Sequence, residues 1–329
     1  MGNKRWNEKK NQHYVPQGYL RKFTIPNQKS LVWSCDKPAA QFSKTTSSVN
    51  RICARDYYYY QIEENGDVDH VRFEDSLSEV ERVGMAALNK IIGASAMPYA
   101  DPGGEQQGHL AFFLALLLTR GPSFRDAVND LHGWWVQHSL QQLYHSGELP
   151  TAPPPLHKLI EDQGINNVIK THIYSYASLE PLVKMAEDIA LTMLKKGWLL
   201  YRPPEGHYFV TSDTPVVFSL AAGSPYSDVG PAHPSTEFTI PLSKGLMLII
   251  SPAIRAEESF MIKTATVEEW YLMNTRVIAA ANDSIFSSER AEWIVDLAKR
   301  FGNVKQTLVI EAGAARSFQV IDHPFRSKV

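Results

Sequence analysis

EFTIPLSKGLMLIIS, residues 237–251, decides the fold class. Two runs rich in strand-forming residues flank Ser243-Lys244-Gly245, and a short glycine-bearing segment between two such runs is a hairpin signal. Working back from it, TPVVFSL carries strand character. WLLYR, a PPEG turn and HYFVTS read as an earlier hairpin. The texture changes at Trp198, because upstream of it the apolar residues recur at helical spacing. Phe73 to Ile92 places Phe73, Leu77, Val80, Gly84, Leu88 and Ile91 on one face of a helix. Glu105 to Arg120 is apolar nearly all round, which predicts a helix central to the core. Further helices are expected from Ser123 to about His145, from about Leu156 to Thr171 and from Leu179 to Lys196, with PTAPPPL from Pro150 as a stiff linker.

Strand signals return at both ends. LVWSCD from Leu31 and RDYYYYQIE from Arg55 are expected strands. Downstream of the hairpin, Val267 to Ala281 and Ser288 to Phe301 are expected helices, and QTLVIEA from Gln306 a last strand. The whole reads as α+β, an antiparallel sheet built from N- and C-terminal strands with a helical middle packed on it. Residues 1–10 form a loose tail in this reading. Residues 11–329 form a single domain, with a helical middle over about 70–196 and a β-rich part over about 197–329. The segment 221–235, AAGSPYSDVGPAHPS, is a loop long enough to be functional.

Composition narrows the function classes. The 329 residues are 44% hydrophobic and carry a formal net charge of -2, which excludes a strongly basic nucleic-acid-coating protein but not a local basic patch. The two cysteines, Cys35 and Cys53, have no zinc-ligand spacing and suggest free thiols in a reducing compartment. The opening MGNKRWNEKKN has no apolar core, so no signal peptide is read there. The longest apolar run, Leu110 to Leu118, is about half a membrane span. These features predict a soluble cytoplasmic protein without a membrane partner. The glycine-rich turns fit neither nucleotide-binding fingerprint.

Five segments together carry a family resemblance. HYVPQGYLRKF, from His13, resembles the HYVPQ-x-YLR-x-F opening of the bacterial domain-of-unknown-function family numbered 4238, and FVTSDTPVVF, from Phe209, resembles its FITSDNPV segment. SLSEVERVGMAAL and FLALLLTRGPSFRD resemble its helical middle, and NTRVIAAANDSIFSS its closing segment. Thr214 stands where the family usually has Asn, and Gly18 where it often has an aromatic residue. The resemblance implies a bacterial protein of one fold and brings no activity with it; a loose association with mobile or defence genes is an analogy only.

The polar residues set out the chemistry to look for. His13 suits a general base or a metal ligand, or else a lock on a backbone carbonyl. Arg21 suits an anion or an acidic neighbour. Glu81 lies on the flank of its helix's apolar face, and Arg120 ends an apolar helix, so each must place a charge near the core. Pairing with each other is the economical solution, with a polar pocket at their border as the functional one. In Ser212-Asp213-Thr214-Pro215, Pro215 fixes the turn and holds Asp213 at a strand edge, either as a metal ligand or base or as a turn cap. Asn274 and Arg276 are placed to extend such a cluster.

Two readings follow. In the first, His13, Glu81 and Asp213 are catalytic in a metal-assisted phosphodiester hydrolase. Glu81 and Asp213 hold Mg²⁺ or Mn²⁺, and Arg21, Arg120, Ser212 and Asn274 bind a nucleic-acid substrate. In the second, the same residues are a buried polar network in a non-catalytic ligand- or protein-binding module.

Overall fold

The computed structural model describes residues 10–169, 171–221, 230–306 and 318–321. The chain opens with β1 (Asn11–His13), α1 (Gln17–Leu20), β2 (Leu31–Asp36), β3 (Gln41–Phe42), β4 (Ser47–Ser48), β5 (Ala54–Asp56), β6 (Gln61–Ile62) and β7 (Val68–Asp69). The long helices α2 (Arg72–Gly93) and α3 (Gly104–Thr119) follow, then α4 (Pro122–His145), α5 (Pro154–Gln163), α6 (Ile165–Val168) and β8 (Thr171–Tyr174). After α7 (Leu179–Leu194) come β9 (Gly197–Arg202), β10 (Thr211–Ser212), β11 (Val217–Leu220), β12 (Thr236–Ser243), β13 (Leu246–Ser251) and β14 (Ile262–Thr264). The last elements are α8 (Val267–Ala280), β15 (Ser284–Ser287), α9 (Glu292–Phe301) and β16 (Phe318–Ile321). The fold is α+β. The described residues gather into two compact units, one of residues 10–121 with 182–306, the other of residues 122–181 with 318–321.

In the first unit the opening hairpin, β12–β13, is the middle of a five-stranded sheet ordered β11-β12-β13-β9-β14. All six residues of β13 are buried, as expected of an apolar strand paired on both edges. Pro241 sits where the β12–β13 register shifts, a place where its missing N–H is tolerated. A second sheet runs β10-β15-β2-β3, with β4 also on β2. Here the N-terminal strand β2 pairs antiparallel with the C-terminal strand β15, Cys35 opposite Ile285. The sheet built from both chain ends is therefore present.

Two helices of the same unit form a close pair. Leu77, Gly84, Ala87, Leu88 and Ile91 make the buried face of α2, and α3 is buried on nearly every side. A Cβ on Gly84 would stand 2.3 Å from the Phe113 Cβ, so only glycine permits this approach. Among the described residues no helix is long and apolar enough to cross a membrane.

Several local expectations are corrected. WLLYR does not pair with HYFVTS. Instead β9 pairs with β13 over five residues and with β14 in parallel, and β10 joins β15 in the other sheet. The apolar LMLIIS offers WLLYR a longer register than its neighbour does. The tyrosine run is not one strand: β5 ends at Asp56, and Tyr57 turns the chain with φ +53°. The Gln12 side chain takes the Tyr59 N–H at 2.6 Å, which replaces a ladder bond. In the second unit, α5 starts inside the proline run, with proline at its first turn, where no N–H is needed. The helix expected to reach Thr171 stops earlier. Gly164, at φ +81°, separates α5 from α6, and β8 follows, paired in parallel with β16. The closing helix starts at Glu292 because residues 284–287 are taken by β15. The tail before Lys10, most of the 221–235 loop and the strand expected beyond Gln306 lie outside the described residues.

Candidate functional site

The HYVPQ segment owes its position to Gln12. This residue is fully buried on β1, opposite Arg55 of β5. Its amide donates to the His70 carbonyl at 2.8 Å and accepts from Tyr59 N–H at 2.6 Å. With Gln12 fixed, the strand alternation turns His13 to the opposite face. Pro16, extended at ψ 141°, then starts α1, and Tyr19, Leu20 and Phe23 anchor it in the core.

His13 lies within electrostatic reach of Glu81 and Arg120. The Arg120 side chain is 1% exposed, and its Nη1 donates to Glu81 Oε1 at 2.6 Å, while Glu81 remains 31% exposed. Among the described residues Arg120 Nε and Nη2 have no hydrogen-bond partner, and neither does His13 Nε2. Nε and Nη2 form one edge of the guanidinium, with parallel N–H bonds spaced to fit two oxygens of a phosphate or carboxylate. Leaving buried donors unmatched costs about 1–3 kcal/mol each, so the fold sustains this edge at a disadvantage. Burial works against the Arg120 charge, but Glu81, Tyr59 and Glu74 outweigh it and hold its pKa above the ordinary arginine value. Burial lowers the His13 pKa below the ordinary histidine value. The Val49 carbonyl and Glu81 oppose the shift, Arg120 adds to it, and the Asn50 carbonyl opposes it. Burial thus favours the uncharged form of the His13 imidazole, and one edge of the buried Arg120 guanidinium is without a hydrogen bond among the described residues. Tyrosines brace both residues: Tyr59 Oη donates to the His13 carbonyl at 3.2 Å and Tyr58 Oη to the Arg120 carbonyl at 3.0 Å.

Asp213 belongs to a second grouping. Its carboxylate accepts the backbone N–H groups of Asn282, Asp283 and Ser284 at 2.8–3.1 Å. The same turn is gripped from its carbonyl side by the buried Lys37, whose Nζ donates to the carbonyls of Ala279, Ala281 and Val304. Asp213 and Lys37 thus clamp the link between α8 and β15. Burial pushes the Asp213 pKa up to about 6 against the pull of the three amides, and pushes Lys37 down to about 8. Nearby, burial raises the Tyr14 phenol above its ordinary value, with Cys53 and Asp213 adding to the shift. Burial and Asp213 raise the Cys53 thiol well above its ordinary value, so it stays protonated.

The sequence expected one cleft, and its members have these surroundings. His13, Glu81 and Arg120 come together. Asp213 faces the 282–284 turn, and its electrostatic neighbours are Asp283, Tyr14, Cys53 and Lys37. Among the described residues no three His, Cys, Asp or Glu side chains converge to hold a metal ion. Ser212 Oγ accepts from Thr214 N–H at 3.1 Å in a serine turn. Asn274 is fully buried and ties α8 to the chain before β10, accepting from Val210 N–H at 3.0 Å. Arg276 pairs with Glu237 of β12. Arg21 is exposed and donates to Gln17 at 3.0 Å. Sequence reasoning missed Gln12, Lys37, and the bracing Tyr58 and Tyr59. Lys37, the first residue of the turn after β2, carried no signal of this role; the tyrosines were visible but read as strand.

The family model described as Protein of unknown function (DUF4238) matches residues 11–291, a span that includes the HYVPQ, helical, TSDTP and NDSIFSS segments. No curated protein and no solved structure matches the chain.

Proposed function

The chain belongs to the DUF4238 family, and since that membership carries no activity we propose from the geometry that it is a phosphodiester hydrolase centred on His13, Glu81 and Arg120. The observation that supports this is the unpartnered Nε–Nη2 edge of a buried arginine next to an uncharged histidine whose Nε2 is also unpartnered. Arg120 takes two non-bridging phosphate oxygens and stabilises the charge that grows on them in the transition state. His13 Nε2 removes a proton from the attacking water. A P–O bond forms from that water, and the bond to the leaving oxygen breaks. The leaving oxygen takes up a proton, giving an alcohol and a phosphate monoester. Glu81 holds Arg120 in place and favours the imidazolium formed on His13. Charge neutralisation falls to Arg120 here.

The test is hydrolysis of bis(p-nitrophenyl) phosphate and of oligonucleotides, with and without EDTA. The wild type should cleave in EDTA. His13→Gln should lose about 100-fold or more in rate with its melting temperature within a few degrees of wild type. An inactive wild type, or a His13→Gln variant of undiminished rate, rejects the proposal. The ion pair of a nearly inaccessible Arg120 with Glu81 favours a second reading, a polar network that only holds the N-terminal segment in place. In that case His13→Gln lowers the melting temperature and there is no hydrolysis to lose.

A further inference from the structure

We infer that the ligand of this site is single-stranded nucleic acid, an assignment that rests on the phosphate-binding reading of Arg120 and His13. The carrying observation is the aromatic and basic surface joined to those two residues. Tyr14 directly follows His13, and its ring lies 5.9 Å from that of Tyr58, the residue whose phenol bonds the Arg120 carbonyl. Both residues are partly buried, neither fully enclosed, and the Tyr58 ring also packs edge-on to Tyr59 at 4.9 Å. The exposed Arg55 sets its guanidinium 5.7 Å over the Tyr58 ring. Arg51 is exposed next to Asn50, whose carbonyl acts on His13.

An oxyanion fork, two adjacent aromatic rings and two exposed arginines are the components that track a nucleic-acid strand. Cations follow the phosphates, and every base has a face that can stack on an aromatic ring or a guanidinium. The strand must be single, because in a duplex the faces of the bases are covered by their own neighbours. The overall charge of -2 is compatible with this, since Arg55 on β5 and Arg51 just before that strand are local basic groups. A free phosphate or a carboxylate would use the Arg120 fork but not the tyrosine–arginine surface.

The test is fluorescence anisotropy with labelled oligothymidylate and oligouridylate, each alone and annealed to its complement. Binding is measured on the wild type and on His13→Gln, Tyr58→Leu and Arg55→Ala. The single strand of at least one sugar type should bind about tenfold or more tightly than its duplex. Arg55→Ala and Tyr58→Leu should weaken single-strand binding by about tenfold while leaving weak duplex binding in place. Tyr58→Leu removes a bond to the backbone, so if it unfolds, Arg55→Ala on the exposed surface still decides. Equal affinity for single strand and duplex, no saturable binding, or unchanged affinity in Arg55→Ala overturns the inference. Strand binding by a wild type that hydrolyses nothing keeps the inference and rejects the hydrolase. Hydrolysis of bis(p-nitrophenyl) phosphate without strand binding does the reverse.

Discussion

At the scale of the residue, Arg120 has one nitrogen matched to Glu81 and two without a partner among the described residues, on a side chain that is 1% exposed. Removing Glu81 strands the remaining charge. Glu81→Ala should therefore destabilise the protein by about 3 kcal/mol in urea unfolding. Adding Arg120→Met should restore most of that loss, because an apolar side chain of similar length has no charge to satisfy. An additive double variant would show that the pair is not coupled. His13 gives a pH prediction whose sign is fixed by its lowered pKa. As pH falls below the ordinary histidine value of about 6.5, the unfolded chain takes up a proton that the folded state resists, so stability declines until the folded pKa is passed. His13→Gln should remove that part of the acid-induced loss. Hydrolysis should fall over the lower part of the same window as His13 protonates. The pairing of Glu81 with Arg120 was legible in the sequence because each charge had to be placed on an apolar helix, and only another such charge resolves both. The role of Asp213 was not, because its partners are three backbone amides, and a sequence does not mark which amides are left without a ladder.

At the scale of the element, Gly84 decides how closely α2 and α3 approach, and with it the reach of Glu81 to Arg120. Alanine is the better helix former by about 1 kcal/mol, yet its methyl would enter the Phe113 side chain. Gly84→Ala should thus be destabilising by about 1–3 kcal/mol, against the helix scale. A melting temperature equal to or above wild type would show that the helices can part at no loss. The amphipathic period of α2 and the all-round apolarity of α3 made both helices readable to within a residue or two. The tyrosine run shows the opposite. Tyr57 to Tyr60 satisfies every rule of strand composition, and a single long-range bond from Gln12 turns it out of the ladder. The TSDTP and NDSIFSS segments were both conspicuous, but that one clamps the other through Asp213 became visible only in the fold.

At the scale of the whole molecule, the first unit contains two sheets whose strands come from widely separated stretches. The hairpin β12–β13 was recoverable because its partners adjoin in sequence. The pairing of β9 with β13, and of β2 with β15, was not, since many apolar runs compete for each other and only packing chooses among them. In the second sheet β15 lies between β10 and β2 and is their common neighbour. A chain ended after α8 should therefore lose both pairings and self-associate, measurable as a high-mass species in size-exclusion chromatography. A monodisperse truncated chain would contradict the central place given to β15.

That position of β15 has a consequence for how the protein is made. β2 emerges from the ribosome early and must wait for residues 284–287, about 250 positions later, before its main partner exists. At roughly 5–20 residues per second this is an interval of roughly 10–50 seconds. Through it the strands β2 can hold, among the described residues, are the short β3 and β4, and its other edge stays open to any passing chain. Cellular yield should thus depend on translation speed and on chaperones that shield such an edge, more than on the stability of the finished fold.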